Sequence, residues 1–370
     1  MAIDLALHWR HRRLYDLVAH LHPYHWEAHQ VQVERVAVII PFYQREAGIL
    51  RRAMNGVYAQ RLPGNVSLHV FIINDSSPQS PAADLDGLDQ TALVSWSLHT
   101  QENAGPGGAR NRGLDLAEAQ GFDYIALLDS DDSWLPMHLA DAIAALKRGY
   151  GVYFCDNGRE GSYESYNLDL AALRDGGAAI RHKAQEISQD GLEMGFAAGV
   201  LAGEMIAECL CQTSGLVLRR AALGGLRFDT ELRSAGEDHL LWIHLALDGP
   251  AILISFRRNV VCGRGVNIFY ASLDWNEPST VTRVGYQLLL HAKLRAMPSA
   301  MALARSKINQ TFLKYRRAYG FLFIRSLLKG RLPSLVLLRK LMRYDQLLVA
   351  RMPLLFARVA LSRDPAIREW

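Results

Sequence analysis

Acidic residues at strand ends are the side chains of this sequence best suited to chemistry. Asp129-Ser130-Asp131-Asp132 directly follows an apolar run over 124–128. Acids at the end of a buried strand are costly unless a cation compensates them, and two carboxylates one residue apart can both approach a hard divalent ion. Acids also cap helices and fill turns, so this motif alone supports a metal site and a structural turn about equally.

Two further acidic positions extend the pattern. Asp75 follows a second apolar run over 68–73, and Glu237-Asp238 opens a predicted helix. An Asx turn explains a lone Asp75, but acids at two strand ends form a crevice suited to a nucleotide. The helix dipole stabilises acids in a first helical turn and keeps them ionised, as a general base must be.

A glycine-rich turn over 103–113 enters a helix that carries Arg110 and Arg112. The turn has neither the G-x-G-x-x-G order nor the Walker lysine, which excludes a dinucleotide motif or a P-loop at this point. Its arginines offer planar forks for phosphate or ribose oxygens. Solvated arginines at a helix start are an equally supported interpretation.

The elements that position these residues alternate along the chain. The continuous apolar run over 36–40, rich in β-branched residues, predicts a strand buried on both faces, and 68–73 predicts a second buried strand. Further strands are expected over 124–128, 152–155, 252–256 and 259–262. Helical patterns cover 45–60, 106–120, 136–147 and 237–247. This order predicts an α/β fold with a doubly wound sheet and a site at the carboxyl ends of the strands. From 286 to 360 we expect helices broken at Gly320, 330–333 and Pro353.

Composition indicates a folded protein of 370 residues, 50% hydrophobic and 21% charged. We find no uninterrupted apolar run long enough for a membrane span, and the N-terminal basic residues are misplaced for a secretory signal. We therefore expect a cytoplasmic protein. Four irregularly spaced cysteines predict free thiols, and six histidines within residues 1–30 favour a packing helix over a metal site.

Charge divides the chain. Residues 301–370 contain 15 Lys and Arg and 3 Asp and Glu, a net +12, whereas residues 1–300 contain 26 and 34, a net −8. Apolar stretches between the arginines suit an anionic lipid surface better than a phosphate backbone, so we expect no nucleic-acid partner. Peripheral contact with the inner face of the cell membrane and simple packing or oligomerisation both stay open.

Five motifs occur in an order that resembles the family 2 glycosyltransferases, which are inverting enzymes with the GT-A fold. The resemblance covers about residues 35–265 and rests on Val38-Ile39-Ile40-Pro41-Phe42-Tyr43, Asn74-Asp75-Ser76-Ser77-Pro78, Asn103-x-Gly105 with Ala109-Arg110-Asn111, Leu128-Asp129-Ser130-Asp131-Asp132 with Trp134-Leu135-Pro136, and Gly236-Glu237-Asp238 with Leu241-Trp242. It implies a GT-A domain at 35–270 with a donor half (35–156) and an acceptor half (157–270). Apolar periodicity and charge outside this domain predict an N-terminal helical segment at 1–34 and a basic helical region at 271–370.

The resemblance also implies roles for the donor-binding residues. Asp75 would accept a hydrogen bond from uracil, and Arg264 would close over the diphosphate. The full implied set of nucleotide-sugar contacts is Pro41, Phe42, Tyr43, Asp75, Arg110, Asp129, Ser130 and Arg264.

The remaining implied roles concern catalysis. Asp131, with Asp129 nearby, would hold Mg²⁺ or Mn²⁺ at the diphosphate. Asp238 would be the general base that takes the proton from the acceptor hydroxyl, with Glu237 in support. One base and a direct displacement give inversion at the anomeric carbon.

The function implied is hexosyl transfer from a nucleotide sugar, expected to be a UDP-sugar, to a hydroxyl of a glycan or lipid-linked acceptor in bacterial surface polysaccharide or glycoconjugate synthesis. Two alternatives stay open. A catalytically inactive GT-A binding or assembly protein is disfavoured because both sets of acids are present. A nucleotidyltransferase is disfavoured because residues 41–45 occupy the place of its usual glycine-rich phosphate loop.

Overall fold

The computed structural model describes residues 33–159, 161, 164–263 and 277–362. Within them the strands belong to one mixed sheet. They are β1 (Glu34–Phe42), β2 (Val66–Asn74), β3 (Val94–Thr100), β4 (Tyr124–Leu127), β5 (Ser133–Trp134), β6 (Val152–Arg159), β7 (Glu186–Ile187), β8 (Glu193–Phe196), β9 (Leu216–Arg219) and β10 (Ile252–Cys262).

The described helices cover both faces of the sheet and continue into a helical C-terminal region. They are α1 (Ile49–Tyr58), α2 (Ala82–Leu85), α3 (Gly105–Ala119), α4 (His138–Lys147), α5 (Arg174–Gly177), α6 (Ala202–Ala207), α7 (Glu237–Asp248), α8 (Ser279–Ala296), α9 (Pro298–Leu328), α10 (Leu335–Met342) and α11 (Leu348–Ala360).

The strand order leaves a crevice at the carboxyl ends of β1 and β4. The order is β3-β2-β1-β4-β9-β6-β10-β8-β7, and β5 pairs with β10. The first four strands are parallel to their neighbours among themselves, and β9 runs antiparallel to β4 and β6. The chain moves outward from β1 to β3 and then returns to β4 on the other side of β1, which is a topological switch point. The predicted doubly wound mixed sheet is confirmed.

Alternate residues of β1 enter two different cores. Val38, Ile40 and Phe42 pack with α1 and α4, whereas Ile39 packs with α3 on the opposite face. Gly113 allows helix α3 to lie very close to the sheet. A Cβ added to this residue would be 2.4 Å from Cγ2 of Ile39. The continuous apolar run that predicted β1 is therefore buried on both sides.

The C-terminal helices share a core with the sheet domain. Leu289 and Leu290 of α8, Phe312 of α9 and Met352 of α11 belong to the same buried cluster as Trp242 of α7. These helices therefore cover the body of the protein. Among the described residues, no helix combines the length and apolar character needed to cross a membrane.

Helix breaks at Gly320 and Pro353 were predicted wrongly. Both residues lie inside helices, α9 and α11. A Cβ on Gly320 would be 2.8 Å from Cδ1 of Leu355, so this glycine allows two helices to approach rather than ending one. The predicted break at 330–333 is confirmed, since α9 ends at Leu328.

The two strands predicted over 252–262 form the single strand β10, which shifts register between Ser255 and Val260. The four cysteines are free, as predicted, and burial raises the pKa of the Cys155 and Cys211 thiols above the usual range. The histidine-rich segment over residues 1–30 lies outside the described residues.

Candidate active site

The ends of three parallel strands bring the predicted donor-site residues together. Asp75 directly follows β2, and its backbone N–H donates to the carbonyl of Phe42 at the end of β1 (3.0 Å). On the other side, the N–H of Leu128 donates to the carbonyl of Ile39 (3.1 Å), which places Asp129 beside the same strand. Residues from three separate motifs therefore share one edge of the sheet.

The end of β1 presents only some of its predicted pocket residues. Tyr43 is 37% exposed and Pro41 is partly exposed, whereas Phe42 is wholly buried in the core. Successive side chains of a strand point to opposite faces, so Phe42 follows Ile40 inward. The structure does not place Phe42 in the lining of a pocket.

Asp75 connects β2 to the start of α3. Its Oδ1 accepts from Gln101 Nε2 and from the Ala104 N–H, and its Oδ2 accepts from the Gly105 N–H, each at 2.8 Å. Gly105 has φ +79°, a left-handed conformation that favours glycine. An ionised carboxylate offers about four acceptor positions, so Oδ2 keeps one for a further donor.

Arg110 bridges the acid that follows β4 and the acid that opens α7. Its Nη2 donates to Asp129 Oδ1 (2.7 Å) and its Nη1 to Glu237 Oε1 (3.2 Å), and the side chain is only 5% exposed. Its guanidinium carbon lies 5.3 Å from the ring centroid of Phe228. Burial alone would lower the pKa of Arg110, but the two carboxylates raise it, so the cation is fixed. In the structure Arg110 is a buried bridge between Asp129 and Glu237.

The first turn of α7 contains three titratable side chains that differ in their burial and in their hydrogen-bond partners. Burial, reinforced by Asp238, raises the pKa of Glu237 to about 7 despite the opposing charge of Arg110. Burial lowers the pKa of His239, whose Nε2 donates to the carbonyl of Met205 (2.5 Å). Asp238 is only half-buried, and its Oδ1 accepts from the His239 N–H (2.7 Å). Asp238 is therefore the accessible acid of this turn.

Asp132 organises the loop after β4, a role that the sequence did not reveal. It is 3% exposed and accepts from Ser214 Oγ (2.6 Å), Gln212 Nε2 (2.8 Å) and the Gly263 N–H (2.9 Å). Burial and the charges of Asp129 and Asp131 raise the pKa of Asp132 to about 7. Its partners lie 80 or more positions away in the chain, so no local pattern identifies them.

The chain after β10 passes directly over this loop. A Cβ added to Gly263 would be 1.8 Å from the carbonyl oxygen of Asp131, so only a glycine fits this contact. The next residue, Arg264, which we expect to close over the diphosphate, lies outside the described residues.

Ser130 does not face the crevice as expected. Its side chain is 4% exposed, and its Oγ accepts from Nε2 of Gln44, which is also buried (3.0 Å). This hydrogen bond connects the β4 loop to the segment after β1. Gln44 was missed at the sequence level because a glutamine beside two aromatic residues has no distinctive spacing.

The oxygen ligands after β4 suit a hard cation that is shared with a substrate. Within the described part of the chain, no three His, Cys, Asp or Glu side chains form a group able to hold a metal ion by themselves. Asp129 is 26% exposed and Asp131 is partly exposed, and both offer carboxylate oxygens. Mg²⁺ commonly takes one or two carboxylates and completes its coordination with phosphate oxygens and waters. The residues present fit that kind of site.

Comparison with known proteins places this arrangement in a family. The model of "Glycosyl transferase family 2" matches residues 37–202. The succinoglycan biosynthesis protein ExoW of Rhizobium meliloti is 32% identical over 278 residues, which is 74% of this chain and 83% of ExoW. A GalNAc(5)-diNAcBac-PP-undecaprenol beta-1,3-glucosyltransferase of Campylobacter jejuni is 23% identical over 82% of this chain and 92% of its own length.

Structural comparison confirms the predicted GT-A fold. The structure of S. aureus TarS in complex with UDP-GlcNAc superposes with a TM-score of 0.51 at 16% identity, over 88% of this chain and 87% of that chain. Because ExoW is similar over most of both chains, and the family model matches the part of the chain that forms the crevice, this chain is a glycosyltransferase and belongs to glycosyl transferase family 2.

Proposed function

We propose that the chain transfers a sugar from a UDP-sugar to a hydroxyl of a glycan or lipid-linked acceptor, with inversion, during assembly of a surface polysaccharide or glycoconjugate. The observation that carries this proposal is the Arg110 bridge. Through it Asp129, at the donor end of β4, and Glu237, beside Asp238, bind the same buried cation. This bridge supports a site in which the proposed donor contacts and the proposed base lie around one crevice.

The relatives support the class of reaction and of acceptor. ExoW is named as a succinoglycan biosynthesis protein, the Campylobacter relative as a glucosyltransferase of an undecaprenol-linked glycan, and TarS was solved with UDP-GlcNAc. The Asp75 side chain is only 3% exposed, and its Oδ2 keeps an acceptor position that suits the imide N–H of uracil; Tyr43, directly after β1, offers exposed ring surface.

The accessible acid of α7 supplies the proton acceptor. The acceptor O–H gives its proton to the Asp238 carboxylate while its oxygen attacks the anomeric carbon. The bond from that carbon to the diphosphate breaks, and the nucleoside diphosphate leaves with the electron pair. Glu237 is buried and paired with Arg110, so we assign it to positioning rather than to proton transfer.

Asp131, with Asp129 nearby, is the group that we propose holds Mg²⁺ or Mn²⁺. When bound, the ion would neutralise charge on the departing diphosphate. Asp132 is buried beneath this loop and fixed by three donors, so it sets the position of the two accessible carboxylates.

Asp131→Asn should abolish the metal-dependent part of donor binding. We expect UDP-sugars to raise the melting temperature of the whole chain only with Mn²⁺ present, and this shift to vanish in the variant while the unliganded melting temperature stays the same. Differential scanning fluorimetry measures both. Asp89→Asn changes an exposed acid away from the crevice and is the matched control. An unchanged metal-dependent shift in Asp131→Asn would remove Asp131 from the site.

The reaction products distinguish the competing functions. Incubation with UDP-sugar, Mn²⁺ and an acceptor extract should release free UDP. A parallel mixture with UTP and a sugar 1-phosphate in place of the UDP-sugar tests nucleotidyl transfer, because release of pyrophosphate there would identify a nucleotidyltransferase. Donor binding without release of product in either mixture would identify an inactive binding protein.

A further inference from the structure

The C-terminal helices carry a concentration of exposed apolar side chains. Leu328 and Leu332 are each 74% exposed, Val336 64%, Leu354 72% and Leu361 82%. We call the exposed side chains over 327–361 the C-terminal surface. Leucines at such exposures in neighbouring positions mark an interaction site more than isolated exposed residues do.

Helix α11 has two contrasting faces. Leu348, Met352 and Val359 are buried against the protein. A second face, beside the buried one, carries an exposed stripe in which leucine and arginine alternate at intervals of four and three residues: Leu347, Arg351, Leu354, Arg358 and Leu361. A helix lying in a membrane interface combines apolar and basic side chains in this way.

The exposed leucines of α9, α10 and α11 converge at one end of the helical region. Arg316 of α9 pairs with Asp345 just before α11 (2.7 Å), and Phe321 stacks on Phe356 of α11. Helices α9 and α11 therefore run in the same direction, and the end of α11 near Leu361 lies beside the end of α9. Helix α10 begins in the same place, immediately after the turn at 329–334.

The positive charge of the C-terminal surface favours an anionic partner. Residues 327–361 contain seven Lys and Arg and a single acid, Asp345, which is 13% exposed and paired with Arg316 and Arg351. Lys340 and Arg343 contact Glu231, so the surplus of basic residues on this surface remains after these pairs are set aside. A second copy of the chain would bring like charges together on this surface, whereas anionic lipid head groups would complement them. We propose that the C-terminal surface binds the chain peripherally to an anionic bilayer.

Residues of α8, and of α10 and the residue directly after it, form hydrogen bonds with the segment before α7, the helix that carries the candidate base. The Glu231 carboxylate accepts from Arg343, directly after α10 (2.7 Å), and from Lys293 of α8 (2.7 Å), and its backbone carbonyl accepts from Lys340 of α10 (2.9 Å). Glu231 lies six residues before Glu237. A bilayer bound at α10 and α11 would therefore hold the acceptor side of the crevice in a fixed orientation. The inference does not depend on the proposed sugar transfer.

Vesicle binding by the whole chain tests the proposal. We expect sedimentation with phosphatidylcholine vesicles that contain about 30% phosphatidylglycerol, no sedimentation with phosphatidylcholine alone, and release when salt rises from about 0.05 M to about 0.5 M. The combined variant Leu347→Ser, Leu354→Ser, Leu361→Ser should weaken binding by about tenfold or more. These side chains are exposed, so the fold should be unchanged.

A matched control uses leucines of similar exposure elsewhere, Leu93→Ser with Leu168→Ser, and should bind as the unmodified chain does. Equal binding to neutral and anionic vesicles, or full binding by the triple variant, would overturn the proposal. A dimer in light scattering that becomes monomeric in the triple variant, without vesicle binding by the unmodified chain, would assign the surface to a second copy. All of these measurements omit the nucleotide sugar, so they are independent of the transfer assay.

Discussion

Asp238→Asn should leave donor binding intact and lower sugar transfer by about two to four orders of magnitude, the usual contribution of a positioned general base. Asparagine has nearly the same shape, and its side-chain oxygen can still accept from the His239 N–H at 2.7 Å. The amide cannot take a proton from the acceptor hydroxyl. The loss should therefore fall on the rate of transfer rather than on the affinity for the donor.

Initial rates of UDP release with acceptor present, alongside donor-induced melting shifts, separate these two quantities. Asp248→Asn is a suitable control, because Asp248 is an exposed acid at the other end of the same helix. Transfer near the unmodified rate in Asp238→Asn would show that another group is the base. Glu237 would then be the next residue to test, because its pKa of about 7 suits a proton acceptor, although its side chain is buried and paired with Arg110.

The sheet was predictable because its strands are marked by burial on both faces. The run over 36–40 is apolar at every position, and all five side chains are wholly buried in the structure. Asp75 and Asp129 directly follow such runs. Their place at one edge of the sheet could be predicted because the carboxyl ends of parallel strands lie at the same edge. The local sequence was sufficient here because the apolar run that predicts each strand is the strand itself.

Contacts between distant segments could not be predicted in this way. Arg110 resembles a solvated arginine at a helix start, yet Glu237, 127 positions later, accepts from it. Gly107 lets α3 approach Glu237 closely, because a Cβ there would lie 3.3 Å from Cγ of Glu237. Asn111 joins the same helix to the segment before α7 by exchanging two hydrogen bonds with the backbone of Phe228. Each of these residues is unremarkable in its own segment.

The same limit applies to Ser130, Phe42 and Gly320. A family motif specifies residue types but not the face that each side chain occupies. Ser130 turns toward Gln44, Phe42 enters the core, and Gly320 allows two helices to approach. Their positions depend on what packs against them.

Arg110→Gln should be the most destabilising single change at the site. It would leave Asp129 and Glu237 without their shared cation, and removing one partner of a buried ion pair costs about 3–5 kcal/mol. The loss should grow with pH. Burial already raises the pKa of Glu237 to about 7, and without Arg110 that pKa would rise further. The folded protein would then retain a proton that the unfolded chain releases above about pH 4.5, so its stability falls as the pH rises through this range.

Urea unfolding at pH 5.5 and pH 8 measures this difference. Arg112→Gln, an exposed position on the same helix, should change the free energy of unfolding little at either pH. Arg110→Lys should fall between, because lysine keeps the charge but lacks the planar fork that reaches both acids. If Arg110→Gln lost the same stability at both pH values, or no more than Arg112→Gln, the charge of Glu237 would not depend on Arg110. The bridge that connects the donor acids to the base would then have only a packing role.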